Sequence, residues 1–114
     1  METMNEIVSF EEWKKLELRV GRIISVSDHP KADRLYILKV DLGDKQVGLV
    51  AGLKQSYKPE ELKDKLCIVF TNLEPAVIRG VKSEGMILAA VNKNRSKIIL
   101  IGPEKEIELG SVIE

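Results

Sequence analysis

The 114 residues include one cysteine, one histidine and five aromatic residues, and 18 Lys and Arg balance 18 Asp and Glu. Each shortage excludes something. A single cysteine forbids an intramolecular disulfide, and Cys67, inside the apolar run LCIVF, reads as a small packing residue rather than a reactive thiol. A lone histidine cannot form a metal-binding pair. His29 lies in a polar turn before Pro30 and Cys67 in an apolar strand pattern, so a Cys–His nucleophile is not expected. The chain has no Cys-x-x-Cys, no phosphate-cradling glycine loop and no serine-nucleophile motif. No apolar run approaches the roughly 18 residues that cross a bilayer, so no membrane partner is expected. METMNEIVSFEEW at the start lacks the basic and apolar regions of a signal peptide, so the expected compartment is the cytoplasm. The chain therefore reads as a binding module that needs no metal or cofactor, not as a catalyst.

What is present is unevenly distributed. Residues 1–17 and 98–114 are acidic, whereas residues 18–97 carry fifteen basic against nine acidic side chains. A neutral total thus leaves room for a local positive face, the feature that phosphate binding requires. The length and a 44% apolar content suit one domain with one core, taken as residues 1–114. Residues 1–17 read as a helical extension, 18–97 as a barrel and 98–114 as a C-terminal strand and tail.

Ser9 and Glu12 have capping-box spacing, with Val8 and Trp13 at the staple positions, which predicts a helix from Phe10 to near Glu17. From Leu18 the pattern has period two. LRVGRIISVS, RLYILKVDLG, KQVGLVAGL, KLCIVFTNL, GMILAAV and KIILIG are separated by Gly, Pro, Asp and Asn, as short strands are. Tyr36, Leu38, Val40 and Leu42 form the inner face of one of them. Gly21 and Gly48, inside strand patterns, predict bulges or sharp bends. YKPEELKDK, with Pro59 suited to a first turn, predicts a helix before the fourth strand. The expected fold is all-β: a five-stranded OB-fold barrel with a short N-terminal helix and a helix between strands 3 and 4. An SH3-like barrel is the alternative.

Barrels of this type commonly bind nucleic acid by stacking bases on aromatics beside a basic groove. Phe10 and Trp13 belong to the first helix, Tyr36 and Phe70 to strand patterns, and only Tyr57 falls in an expected loop. With so few stacking platforms, the better partner is RNA of fixed shape, read through backbone, 2′-hydroxyls and a few exposed bases.

Three segments, LRVGRI at 18–23, HPKADRLYILKVDLG at 29–43 and NLEPAVIRGVKSEGMILAA at 72–90, together carry a resemblance to a known family. The chain resembles the tRNA-binding domain found as a free-standing structure-specific tRNA-binding protein, at the C-terminus of many methionyl-tRNA synthetases or as their separate beta subunit, and in tyrosyl-tRNA synthetase and related polypeptides. The resemblance implies an OB barrel that docks on the outer corner of tRNA, reads tRNA form and performs no chemistry. It implies binding roles for Asn72, Arg79, Ser83 and Met86, with Lys31 and Arg34 from the turn before the second strand. Arg79, Lys31 and Arg34 suit phosphates, Asn72 and Ser83 suit base edges or 2′-hydroxyls, and Met86 suits an exposed base. The local alternatives are that Asn72 caps a turn, Ser83 satisfies backbone donors and Met86 begins a buried strand.

Where many family members are basic after the Asn-Leu pair, this chain has Glu74, Ala76 and Val77. Lys82, with Lys93, Arg95 and Lys97, restores positive charge if these share a face. A related branch acts as a peptide-binding secretion chaperone, which is the alternative function. Small free-standing members are homodimers, and Phe10, Trp13, Leu16, Leu109 and Val112 are the expected interface. An aminoacyl-tRNA synthetase is a further expected partner.

Overall fold

The computed structural model describes residues 6–114. In chain order the elements are α1 (Phe10–Trp13), β1 (Leu18–Asp28), β2 (Tyr36–Asp41), β3 (Gln46–Ala51), α2 (Pro59–Leu62), β4 (Leu66–Phe70), β5 (Ala76–Ile78), β6 (Val81–Ser83), β7 (Met86–Ile87), β8 (Ala89–Val91) and β9 (Ile98–Leu100). Five strands form one antiparallel sheet in the order β3-β2-β1-β4-β7, which curls into a nearly closed barrel. Two hairpins, β5–β6 and β8–β9, decorate it. This is the expected OB-type barrel, with α2 between the third and fourth strands.

Period-two patterning explains the interior. Tyr36, Leu38, Val40 and Leu42 point inward with Val47, Leu49 and Ala51 of β3 and with Cys67 and Val69 of β4. A second, smaller cluster lies outside the barrel wall. There Leu18, Val20 and Ile68 are covered by Trp13 from α1 and by Leu109 and Ile113 from the C-terminal tail. β4 therefore buries both faces, which is why LCIVF is apolar throughout rather than alternating.

The tail is held by backbone bonds to β1: Val20 N to Ser111 O (2.9 Å), Gly110 N to Val20 O (2.7 Å) and Ile113 N to Leu18 O (2.9 Å). Arg19 locks it in place. Its Nε donates to the Gly110 carbonyl, and its Nη2 donates to the Leu42 carbonyl and pairs with Asp44 at 2.7 Å. That guanidinium holds the Asp44 carboxyl below its ordinary value.

Several expectations are corrected. The Ser9–Glu12 capping box forms, but α1 ends at Trp13 rather than near Glu17. The chain tightens there into i→i+3 bonds, Lys15 N to Glu12 O and Leu16 N to Trp13 O, and is then drawn toward β4, where Glu17 N donates to Asn72 Oδ1. The irregularity in β1 lies between Ile23 and Ser25, not at Gly21. Gly21 serves close packing instead: a Cβ there would stand 2.5 Å from Val40 Cγ1. Gly48 pairs regularly with Lys39. GMILAAV is two strands, broken at Leu88, whose N–H turns to Ile68 O while its carbonyl accepts from Ile101 N. The hairpin β5–β6 lies between the expected strands KLCIVFTNL and GMILAAV, where no strand was expected.

Candidate functional site

Ile78 and Val81 pair across the end of β5–β6, leaving Arg79 and Gly80 as a two-residue turn. Both have positive φ, +52° and +90°. This is the primed geometry that matches strand twist, ordinarily built from Asn-Gly or Gly-Gly. An arginine there gives up on the order of 1 kcal/mol to left-handed backbone strain, and in return its side chain stands at the hairpin tip.

The tip folds onto the turn after β1. Arg79 Nη2 donates to the Lys31 carbonyl at 3.2 Å. His29, 5% exposed, makes the second link: its Nε2 lies 3.0 Å from Ile78 O, while its Nδ1 accepts from Lys31 N at 3.0 Å within the turn. A carbonyl only accepts and a backbone N–H only donates, so the imidazole is neutral with its proton on Nε2. Lys31, Ala32, Asp33, Arg34, Leu35 and Arg79 then line a cleft of about 430 Å³. Lys31, Arg34 and Arg79 are exposed in it, against one carboxylate, Asp33. Three of the residues singled out in the sequence thus converge on one concave, net-positive surface.

The other four lie elsewhere. Ser83 is 4% exposed, and its hydroxyl accepts from Val50 N and donates to Gly85 O, both at 3.0 Å. Beside it the Glu84 carboxylate accepts from Gly48 N at 2.8 Å, while Glu84 N donates to Gly48 O at 2.8 Å. These bonds join β3 to the chain entering β7 and close the barrel where no continuous strand ladder does. Gly85 passes so close to β4 that a Cβ would be 2.6 Å from Phe70 O. Asn72 is exposed, and its amide fastens the N-terminal segment to the end of β4: Oδ1 accepts from Glu17 N (2.8 Å) and Nδ2 donates to Lys15 O (2.7 Å). Lys82 is exposed on β6. Met86, 45% exposed, helps line a separate, apolar groove of about 260 Å³ with Val50, Leu53, Ala89, Val91 and Ile98, and Arg95 stands on its lining.

His29 and Glu84 were not singled out from sequence. A histidine before a proline in a polar turn carries no local sign of burial, because the hairpin that buries it lies 49 residues away. Tyr57, expected in a loop, packs on the core, and its hydroxyl accepts from Leu100 N. Burial pushes the Cys67 thiol up to about 12, as suits a packing residue. Among the described residues no group of three or more His, Cys, Asp or Glu is placed to hold a metal ion. No helix among them is long and apolar enough to cross a membrane.

α1 and the tail present apolar surface. Phe10 is 68% exposed, Val112 60% and Leu16 41%, whereas Trp13 and Leu109 are partly buried against the outer cluster. Phe10, Trp13, Leu16, Val112 and Ile113 line a cavity of about 330 Å³.

Comparison with known proteins agrees with the geometry. Residues 18–112 match the family model described as "Putative tRNA binding domain". The chain is 56% identical over 108 residues to the methionine–tRNA ligase of Thermococcus kodakarensis, which covers 95% of this chain but only 14% of that protein. Among solved structures it resembles a MetRS related protein from Pyrococcus horikoshii (TM-score 0.90, 29% identity, 96% of this chain and 100% of that one). It is also similar to the CsaA chaperone protein from Picrophilus torridus (TM-score 0.86, 30% identity, 95% and 100%).

Proposed function

This chain belongs to the tRNA-binding-domain family, and from that premise we propose that it binds tRNA by shape and charge, without chemistry of its own, in the cytoplasm. The observation that carries the reading is the cleft at the hairpin tip, where Lys31, Arg34 and Arg79 converge. Cations on a preformed concave surface neutralise phosphates at little cost in ordering, and phosphate contacts set orientation rather than sequence preference. Lys82 extends the positive surface along β6. Met86 offers its exposed thioether to a base, and Asn72 keeps one amide N–H and part of its oxygen for a ribose or base edge. Ser83 acts indirectly, by holding β3 to the strand that carries Met86.

The chain works as a methionyl-tRNA synthetase beta subunit or as a free-standing tRNA-binding protein, in either case raising the hold on tRNA of the complex it joins. Its exposed Phe10, Leu16 and Val112, with Trp13 and Leu109 behind them, supply a homodimer interface, and two linked sites raise the effective concentration of each for one tRNA. Removing residues 1–17 abolishes the dimer; an intact dimer in sedimentation would refute this interface.

Anisotropy titration of labelled tRNA, against an unstructured strand of equal length at two salt concentrations, tests the function. The expected result is preference for tRNA and a log–log salt slope of about −0.7 to −0.9 per phosphate neutralised. Arg79→Ala should weaken binding while the protein stays folded, and unchanged affinity would remove Arg79 from the site. A second reading, peptide binding, is favoured by the apolar groove beside Met86 and by the likeness to a chaperone. Equal weak binding of both nucleic acids would shift the assignment to it.

A further inference from the structure

We infer that His29 is a positioning residue for the tRNA contact surface: its neutral imidazole pins the β5–β6 hairpin to the Pro30–Arg34 turn and so sets the spacing of Arg79 from Lys31 and Arg34. This rests on the reading of that surface given above. The hairpin needs such a pin. β5 and β6 are three residues each, pair only with one another and are tied to β3 at their base through Ser83, so no wider sheet fixes the direction in which the tip leans. Two side-chain links join the tip to the turn. One is the exposed Arg79–Lys31 hydrogen bond, which a phosphate competes for as soon as Arg79 engages it. The other is His29, which is buried and is not itself available to ligand.

His29 also holds both partners at once. Nε2–H binds Ile78 O, one residue before Arg79, while Nδ1 binds the N–H of Lys31 itself. One rigid ring therefore relates the backbone positions of two phosphate-binding cations from elements 48 residues apart. Side chains without a planar ring lack this two-ended reach at fixed separation. When Arg79 leaves the Lys31 carbonyl for a phosphate, the ring keeps the hairpin in place.

The test uses the full chain in the tRNA titration, with folding followed by circular dichroism. His29→Leu, of similar size but without either bond, should lower tRNA affinity about tenfold while the barrel stays folded. In an Arg79→Ala background the same change should lower affinity by no more than about threefold, because the cation whose position the ring sets is gone. Losses that add fully, or wild-type affinity in folded His29→Leu, overturn the inference. Should His29→Leu not fold, His29→Gln and His29→Asn decide. The Gln amide N–H retains the bond to Ile78 and should keep affinity near wild type. Asn retains only the acceptor for Lys31 N and should weaken binding. Equal affinities of the two variants overturn the inference. Failure of the underlying reading looks different: wild-type protein would show no preference for tRNA, or Arg79→Ala alone would leave affinity unchanged.

Discussion

The β1–β2–β3 wall and the segment from Thr71 to Val91 are built on different principles. In the wall, six residues of β2 pair in register with six of β3, and every second side chain enters the core. In the later segment the strands are two or three residues long, and individual side chains join them to the rest: Asn72 to the N-terminal segment, Ser83 and Glu84 to β3, and His29 to the hairpin. The first arrangement is redundant, since many contacts share the load. In the second, one side chain often carries a whole junction. A polar residue in a binding motif can therefore serve as a fastener, as Ser83 does between β3 and the chain entering β7.

That contrast predicts how the two regions fail. Leu38→Ala, in the wall, empties a fully buried site and should lower the unfolding free energy by about 3 kcal/mol in urea while leaving tRNA affinity unchanged. Altered affinity in the folded variant would show that the wall and the binding surface are coupled. Ser83→Ala leaves Val50 N–H without a partner at the seam and should cost about 1–2 kcal/mol, with faster amide exchange confined to β3 and β7. Exchange that quickens evenly over the whole barrel would remove the seam as a separate unit.

Arg79→Asn separates stability from binding most sharply. Asparagine tolerates the positive φ of the turn, so stability should rise by about 0.5 kcal/mol while tRNA binding weakens. A variant that is both less stable and fully binding would contradict both roles. The smallest effect concerns Cys67, whose buried thiol, with its pKa pushed up to about 12, should resist alkylation at pH 8 until the protein unfolds. Fast labelling of native protein would show that the β1–β4 wall opens readily.

Much of the wall was legible because its information is local. Alternation over Tyr36–Leu42, the Pro59 helix start and the Ser9–Glu12 capping box each follow from neighbours a few residues apart, and each is present in the fold. The end of α1 was not legible, since its course after Trp13 depends on Asn72, 55 residues beyond Glu17. Gly21 was misread for a related reason: an interior glycine signals a bulge or a close approach equally, and only the position of Val40 across the sheet decides between them. The cations Lys31, Arg34 and Arg79 could be picked out by motif, but their meeting in one cleft could not.

The sequence by itself determined the all-β class, the order of the first four strands, the buried face of β2 and the motifs that mark the family, because periodicity and turn chemistry act over short separations. Only the tertiary structure decided which motif residues stand exposed and which are bound into the fold. Ser83 is turned inward, Arg79 stands at a strained tip and His29 is buried between two segments. Those outcomes depend on which backbone donors and acceptors the closing barrel leaves unpaired, and that is settled by distances across the fold rather than along the chain.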